Sequence, residues 1–502
     1  MKSKTKTVQI PKSINPVCCY KDIELDSALP DFSPDISRLV RIDATPYVEN
    51  LKCEEKCEIK GKLVFGLLYE SDYKSKLSYV TFTSDVVQKC DIGTFSSCFP
   101  EAKMCCTYLT CRLLGQRRFS IKAKIETTVS GTTINDFTVA ETENGDLNTF
   151  FKTADIPVLM PSGEYKNEFD FKQFAKSDKP ITAVIYSNAT ISPPETAISE
   201  KAANIKANIT VKTLCELEGN ENEYSLFTNT FPVEINMNGD LITENSLVNT
   251  SLLITELSVI PDLDEYGENK IMNIKYIIKA NALSREKAFL TVAADGFCGK
   301  NECECEYSSL SYDEPCQSAE KNIIFEKTFS SDGNMLEKII DTQTDLVVTS
   351  KTVKDGMLNL KIKAKSDVLA KSDDSILSLS FSDDFEESLP FDSAAAVGDI
   401  SIFPFEVSST LYGNDSVSIR VMAFVKASGN VKTSQSTLST LNIGDSFANS
   451  ESGFVIYYPD ADEDAWEVAK KYHTSPKKLL DGNRDIFDVS GKLKSGKRFV
   501  RV

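Results

Sequence analysis

Tryptophan and histidine are all but missing from this chain of 502 residues, with one of each, Trp466 and His473. A lone histidine outside any serine or cysteine motif excludes the usual nucleophile–base arrangements of hydrolases. No glycine-rich phosphate loop of the P-loop or Rossmann type occurs. The carboxylate pairs Asp383-Asp384 and Glu386-Glu387 fall in a run rich in Ser and Asp. That run reads as a solvated loop rather than as the two opposed carboxylates of a glycosidase. Positive charge is also scarce: 56 Lys and Arg against 74 Asp and Glu leave a formal charge of -18. Nucleic acid is therefore an unfavourable partner, because its phosphates must be neutralised by a basic surface. The longest apolar stretches, such as Leu63–Tyr69, fall well short of the roughly 20 residues that cross a bilayer. The basic start Met1–Lys6 runs into Val8-Gln9-Ile10-Pro11 rather than the apolar core of a secretory signal. The chain is thus expected to be cytoplasmic and not an enzyme, with no cofactor, no metal and no transmembrane segment.

What is abundant is strand-forming sequence. Hydrophobic residues make up 41% of the chain, enough for packed cores, and the Val, Ile, Thr, Phe and Tyr content suits a pleated, half-buried surface. A tetrapeptide recurs at the centre of alternating runs. It reads Ile59-Lys60-Gly61-Lys62, Ile121-Lys122-Ala123-Lys124, Ile205-Lys206-Ala207-Asn208, Ile278-Lys279-Ala280-Asn281 and Ile362-Lys363-Ala364-Lys365, with a degraded sixth copy at Ile419-Arg420-Val421-Met422. The spacings are 62, 84, 73, 84 and 57 residues. Apolar residues at every second position mark strands with one buried face. Intervals this long exceed the roughly 20–50 residues of a solenoid. Taken in pairs, the copies predict three tandem all-β domains of sandwich or barrel type, independent of one another and arranged in series, at 1–149, 150–321 and 322–427. The acidic segment Asn301–Glu306 is expected to be an exposed, cysteine-containing connection. Residues 428–453, rich in Ser, Thr, Asn and Gly, are expected to be a flexible linker.

Fourteen cysteines are many for a reducing compartment, where they are expected to serve as small buried hydrophobes and idle thiols. Cys298, Cys303 and Cys305 approach metal-ligand spacing but have no second pair and no nearby histidine to complete a zinc site.

Residues 454–502 differ in kind. They carry ten Lys and Arg against eight Asp and Glu, which leaves -20 on the rest of the chain. Phe454–Tyr458 is a strand candidate. Ala465, Trp466, Val468, Ala469 and Tyr472 follow a helical stripe. Ser475-Pro476 suits the cap and first turn of a second helix through Leu479-Leu480, and Arg498–Val502 closes with a strand. The predicted order is βααβ, a small α+β module with a core of Trp466, Val468, Ala469, Tyr472, Leu479 and Leu480.

This tail resembles a LysM domain, on the run Ala465–Tyr472, the segment Ser475–Leu480 and Asn483. The upstream repeats resemble the SPOCS domains of spore-coat proteins. The clearest copy holds Leu29-Pro30-Asp31 and Pro34-Asp35-Ile36-Ser37-Arg38-Leu39 ahead of the strand at Ile59–Leu63 and Leu67-Leu68-Tyr69. The resemblance implies a non-catalytic assembly factor of endospore coat morphogenesis. Such a protein works in the mother-cell cytoplasm at the forespore surface and binds the coat basement-layer ATPase SpoIVA, with other coat proteins as further partners. The LysM candidate binding surface is Asp460, Asp462, Lys470, Lys471, Lys477, Lys478, Asn483 and Arg484. Glycan-binding LysM domains carry Gly-Asp-Thr or Gly-Asp-Ser before the first helix, whereas this chain has Pro459-Asp460-Ala461-Asp462-Glu463-Asp464. That departure favours a protein ligand; the alternative is a LysM that binds peptidoglycan.

Overall fold

The computed structural model describes residues 2–54, 56–72, 76–142, 148–219, 223–315, 318–372, 375–447, 455–460, 463–488, 490–494 and 499–502. The chain is mostly β, and every strand pairing is antiparallel. Among the described residues no helix is long and apolar enough to cross a membrane.

Residues 5–140 form β1 (Thr5–Ser13), β2 (Val17–Ala28), β3 (Ile36–Cys53), β4 (Cys57–Ser71), β5 (Leu77–Cys90), β6 (Ser97–Leu113) and β7 (Arg118–Ala140). One sheet centres on β7, flanked by β1, β2 and β6; the other runs β3-β4-β5. The next segment forms β8 (Thr149–Lys176), β9 (Ile181–Ile191), β10 (Glu195–Ser199), β11 (Ala202–Leu217), β12 (Tyr224–Asn238), β13 (Leu247–Asp262) and β14 (Ile271–Cys298). Here β13 and β8 flank β14, while β9, β10 and β12 surround β11. The third segment forms β15 (Asn301–Pro315), β16 (Ala319–Ser330), β17 (Lys338–Lys354), β18 (Met357–Ser372), β19 (Ser375–Pro390), β20 (Ala395–Leu411) and β21 (Ser416–Ser446). β15, β16 and β20 flank β21, and β17-β18-β19 make the last large sheet.

Local sequence explains the variations on this pattern. β8 runs unbroken along the whole of β14, whereas β1 and β2 share β7 end to end and are separated at Ile14-Asn15-Pro16. Proline has no N–H to give to the ladder. In the second segment Pro193-Pro194 likewise separates β9 from β10, both of which lie along β11.

All six tetrapeptides sit on the middle strand of a sheet: β4, β7, β11, β14, β18 and β21. Their isoleucines are at most 1% exposed, and the Lys or Arg that follows each points away from the core. A middle strand is paired on both edges, so alternation there must be strict; one slip in register would turn every buried side chain outward.

Three expectations need correction. The presumed linker is strand from Ser428 to Ser446, the second half of β21; beyond Phe447, residues 448–453 lie outside the described residues. Buried Thr437, Leu438 and Leu441 hold that stretch, although Ser and Thr on its open face disguise the alternation. The acidic connection is also a strand, β15, which pairs along β21, with Cys303 and Cys305 turned inward and the glutamates outward. The carboxylates at 383–387 lie on β19 rather than in a loop, where Asp383 pairs with Lys327 and Glu387 with Lys321.

Nor do the three two-sheet bodies stand apart. Each has its own interior, but three further clusters draw on all three. One joins Leu68 and Leu77, Tyr186, Leu214 and Tyr224, and Ile340, Leu369 and Ile376. Another joins Ile10 and Val139, Ile156, Val158 and Val292, and Leu310 and Tyr312. A third joins Ala140, Ala293 and Cys298, and Leu438 and Leu441. In the first cluster the register is equivalent in each body: Arg41 faces Leu68, Tyr186 faces Leu214 and Asp341 faces Leu369 across paired strands. Those three polar residues meet. Tyr186 donates to Asp341 at 2.5 Å, Arg41 lies 3.5 Å from the same carboxylate and 5.0 Å over the Tyr186 ring, and Lys212 approaches to 3.7 Å. Around them, Arg38 donates to the Ile376 carbonyl, Lys76 pairs with Glu216 and the Leu77 N–H donates to the Tyr224 hydroxyl. Breaking a buried ion pair from one side strands the other charge. Asp341→Ala is therefore expected to cost about 3–5 kcal/mol, read as a shift in the denaturant midpoint, while Lys60→Ala on the outer face changes it by less than about 0.5 kcal/mol.

Candidate functional site

The tail is built from β22 (Ile456–Tyr457), α1 (Ala465–Lys471), α2 (Pro476–Gly482) and β23 (Val500–Arg501), with β22 and β23 paired antiparallel. Asp464 caps α1 by accepting from the Glu467 N–H, while the Glu467 carboxylate accepts from the Asp464 N–H. Ser475 caps α2 and Pro476 opens it. Val468, Ala469 and Leu479 are buried; Trp466, Tyr472 and Leu480 pack against them. Ala461 and Asp462 lie outside the described residues.

The same cluster includes Phe297 of β14 and, packed against it, Phe150 of β8 and Cys303 of β15. The tail's interior is thus closed by the β body. Trp466 meets Phe297 edge-on, with centroids 5.0 Å apart, and its indole N–H donates to Asp295 at 2.8 Å. Lys470 reaches both oxygens of Asp295 at 2.7 and 2.8 Å, and the Tyr307 hydroxyl donates to the same carboxylate. Lys152 of β8 pairs with Asp464. His473 is exposed and lies with Nδ1 3.1 Å from the Cys298 carbonyl and its ring against Phe447. No local pattern in the tail points to Asp295; only the fold brings it there.

These contacts sort the expected binding residues. Lys470 is half-buried and engaged by the body, so it belongs to the docked side. Asn483 is 1% exposed rather than on the surface: its amide donates to the Leu479 and Arg501 carbonyls and its oxygen accepts from the Arg501 N–H, tying α2 to β23. Lys471 covers the Tyr457 ring and donates to its hydroxyl, and Arg484 pairs with Asp481. Asp460, Lys477 and Lys478 are exposed. Among the described residues Lys477 and Lys478 have no ion-pair partner. Ile456, Tyr458 and Phe499 are exposed apolar residues of the tail, the last two 6.4 Å apart ring to ring.

A second set of exposed residues lies at the opposite ends of the long strands. The turns that lead into β7, β14 and β21 meet neighbouring loops through backbone hydrogen bonds from Leu29 to Arg117, Ser177 to Lys270 and Ser331 to Asp415. Each corner carries an outward aromatic ring: Phe32 at 89% exposure, Tyr266 at 81% and Tyr412 at 72%. Arg117 holds the first corner through the Ser33 and Pro30 carbonyls, and Asp264 accepts from the Tyr266 N–H in the second. In contrast, Cys298, Cys303 and Cys305 pack in the interior of the β body, and Cys303 also packs against the tail. Among the described residues no group of three or more Cys, His, Asp or Glu is arranged to hold a metal ion.

The chain matches no protein-family model and no curated protein.

Burial alone would raise the Asp295 carboxyl, but hydrogen bonds from Lys470, Tyr307, Trp466 and the Gly296 N–H hold it below its ordinary value of 3.8. A depressed carboxyl stabilises the docked tail above pH 3.8 and loses that contribution as the pH falls through the lower, docked value. Trp466, the chain's one tryptophan, reports on this contact. Its emission is expected to hold steady from pH 7 to about 4.5 and to shift red on further acidification. Asp295→Ala is expected to show the red-shifted emission already at pH 7.

Proposed function

We propose that this chain is a non-catalytic adaptor of endospore coat assembly, with three SPOCS repeats and a C-terminal LysM module. Its layout resembles that of the clostridial coat-morphogenesis protein SipL. In this reading it works in the mother-cell cytoplasm at the forespore surface and binds the coat basement-layer protein SpoIVA. Other coat proteins are further partners.

Several features support the reading. The strand-pairing order recurs across 5–140, 149–298 and 301–446, which fits three diverged copies of one domain, and the strand-helix-helix-strand order of the tail fits LysM. The observation that carries the proposal is how the tail's residues are used. Trp466, Lys470 and Asp464 are spent on Phe297, Asp295 and Lys152, while Lys477 and Lys478 stay exposed with no ion-pair partner among the described residues. Exposed, unpaired lysines on a docked module suit capture of an acidic protein surface. The aromatic corners at the far ends of the long strands leave a second side for another coat protein.

The alternative ligand is peptidoglycan. Against it stands the use of the segment where glycan-binding LysM domains have Gly-Asp-Thr. Asp464 there caps α1 and pairs with Lys152, and Glu463 accepts from the Tyr457 hydroxyl, so both carboxylates are held by the protein itself.

The test uses the full chain, because the tail's core includes body residues. Immobilised protein is expected to capture SpoIVA from sporulating cells. The double reversal Lys477→Glu/Lys478→Glu is expected to weaken capture at least about tenfold, on the order of 1.4 kcal/mol, with an unchanged thermal midpoint. Sedimentation of the unmodified protein with purified peptidoglycan, without capture of SpoIVA, would decide for the alternative.

A further inference from the structure

Four cysteines of the first body gather in one place. Cys57 and Cys90 are buried in a common cluster with Ile59 and Val129, and Cys19 and Cys53 pack against it. They come from four strands and both sheets: Cys19 from β2, Cys53 from β3, Cys57 from β4 and Cys90 from β5. Cys53 and Cys57 are already joined as a disulfide across the β3–β4 turn, contrary to the expectation of thiols throughout. Cys57 and Cys90 are register partners on β4 and β5.

The remaining contact runs between the sheets. Cys19 lies on the inward row of β2 with Val17 and Ile23; Cys90 lies on the inward row of β5 with Val86 and Gln88. The Cys19 thiol donates to the Gln88 side chain and to the Thr127 carbonyl, each at 3.6 Å, and its side chain packs against the cluster that holds Cys90. Gln88 and Cys90 are two apart on one strand and so face the same way. Cys18, the neighbouring residue, faces solvent.

We propose that Cys19 and Cys90 form an oxidisable pair, closed by a low-molecular-weight disulfide such as oxidised glutathione into an inter-sheet staple across the first body. The Cys19 thiolate attacks one sulfur of the oxidant and expels one glutathione thiolate. The Cys90 thiolate then attacks the Cys19 sulfur and expels the second. Two protein thiols are oxidised, one external disulfide is reduced to two thiols, and the two protons pass to the departing thiolates. Burial first, and then the neighbouring Cys90 thiol, push the Cys19 thiol up to about 12. Since the thiolate is the attacking form, closure is slow at neutral pH and speeds up with each unit of pH. The finished bond would tie β2 to β5, while Cys53–Cys57 ties β3 to β4, so oxidation locks both sheets of this body.

The test is peptide mapping of the full-length protein after incubation with oxidised glutathione at pH 8.5 and trapping of free thiols. The expected result is a Cys19–Cys90 cross-link in addition to Cys53–Cys57. The thermal midpoint of the first body should rise by roughly 5 °C. Cys19→Ser, at a partly exposed position, should fold, lose the cross-link and lose that rise, whereas Cys18→Ser should keep both. Recovery of Cys57–Cys90 instead, or of Cys19 and Cys90 each carrying glutathione, would overturn the proposal. So would an oxidised midpoint in Cys19→Ser equal to that of the unmodified chain.

Discussion

The contact of Arg41, Tyr186 and Asp341 is the constraint on which the rest of the molecule depends. Each comes from a different two-sheet body, and the side chains of Arg41 and Asp341 are 4% and 0% exposed. Taking a carboxylate and a guanidinium out of water costs several kcal/mol apiece, which is recovered only if the partner is present at bonding distance. None of the three bodies can bury its own share without the other two. The apolar ring of Leu68, Leu214 and Leu369 stands directly opposite these residues across the strand pairs, so the same contact excludes water and keeps the local dielectric low. Strand patterns that suggest three domains thus give three bodies that share buried contacts.

That distinction separates what can be read in the sequence from what cannot. The middle strands are legible because both their edges are paired, so the tetrapeptides at Ile59, Ile121, Ile205, Ile278, Ile362 and Ile419 keep strict alternation. The second half of β21 is harder to see. Its inward residues include Thr437 and Leu438, adjacent because the ladder to β15 slips between Glu306 and Tyr307, and a slip breaks the two-residue period. In β15 the alternation is complete but is carried by cysteine, so Asn301–Glu306 reads as strand only if cysteine is counted among the apolar residues. In the tail, the caps at Asp464 and Ser475 depend on neighbours within three residues and are written locally. The salt bridge of Lys470 joins residues 175 positions apart, and nothing at either end announces the other.

The docking of the tail follows from the same economy of burial. The module's described interior is only eight buried side chains, and one of them, Phe297, belongs to β14. So small a core has little stability of its own, and the body supplies a wall. Asp295 adds direction, because a single carboxylate accepting from an indole, an ammonium and a phenol fixes α1 both in rotation and in distance. The orientation of the open face is therefore set by the β body rather than by a tether, which limits how far Lys477 and Lys478 can stray from the rest of the protein.

The three bodies place different residues at matching positions where they meet, and electrostatics explains why. Three identical chains around an axis would place the same residue at each of the positions held by Arg41, Tyr186 and Asp341. Three arginines or three aspartates there would repel at short range in a medium that screens poorly, and three tyrosines would supply no charge to balance a neighbour. A cation, a phenol and an anion satisfy one another only when the three positions differ, and a single polypeptide is the means of keeping them so. At matching ends of β4, β11 and β18 stand Glu70, Glu216 and Lys371; Glu70 and Lys371 pair within their own bodies with Arg38 and Glu337, and Glu216 pairs across to Lys76 of the first. The unlike residues at this contact thus specify which body sits beside which, and the third body continues into the segment that docks on Asp295 of the second.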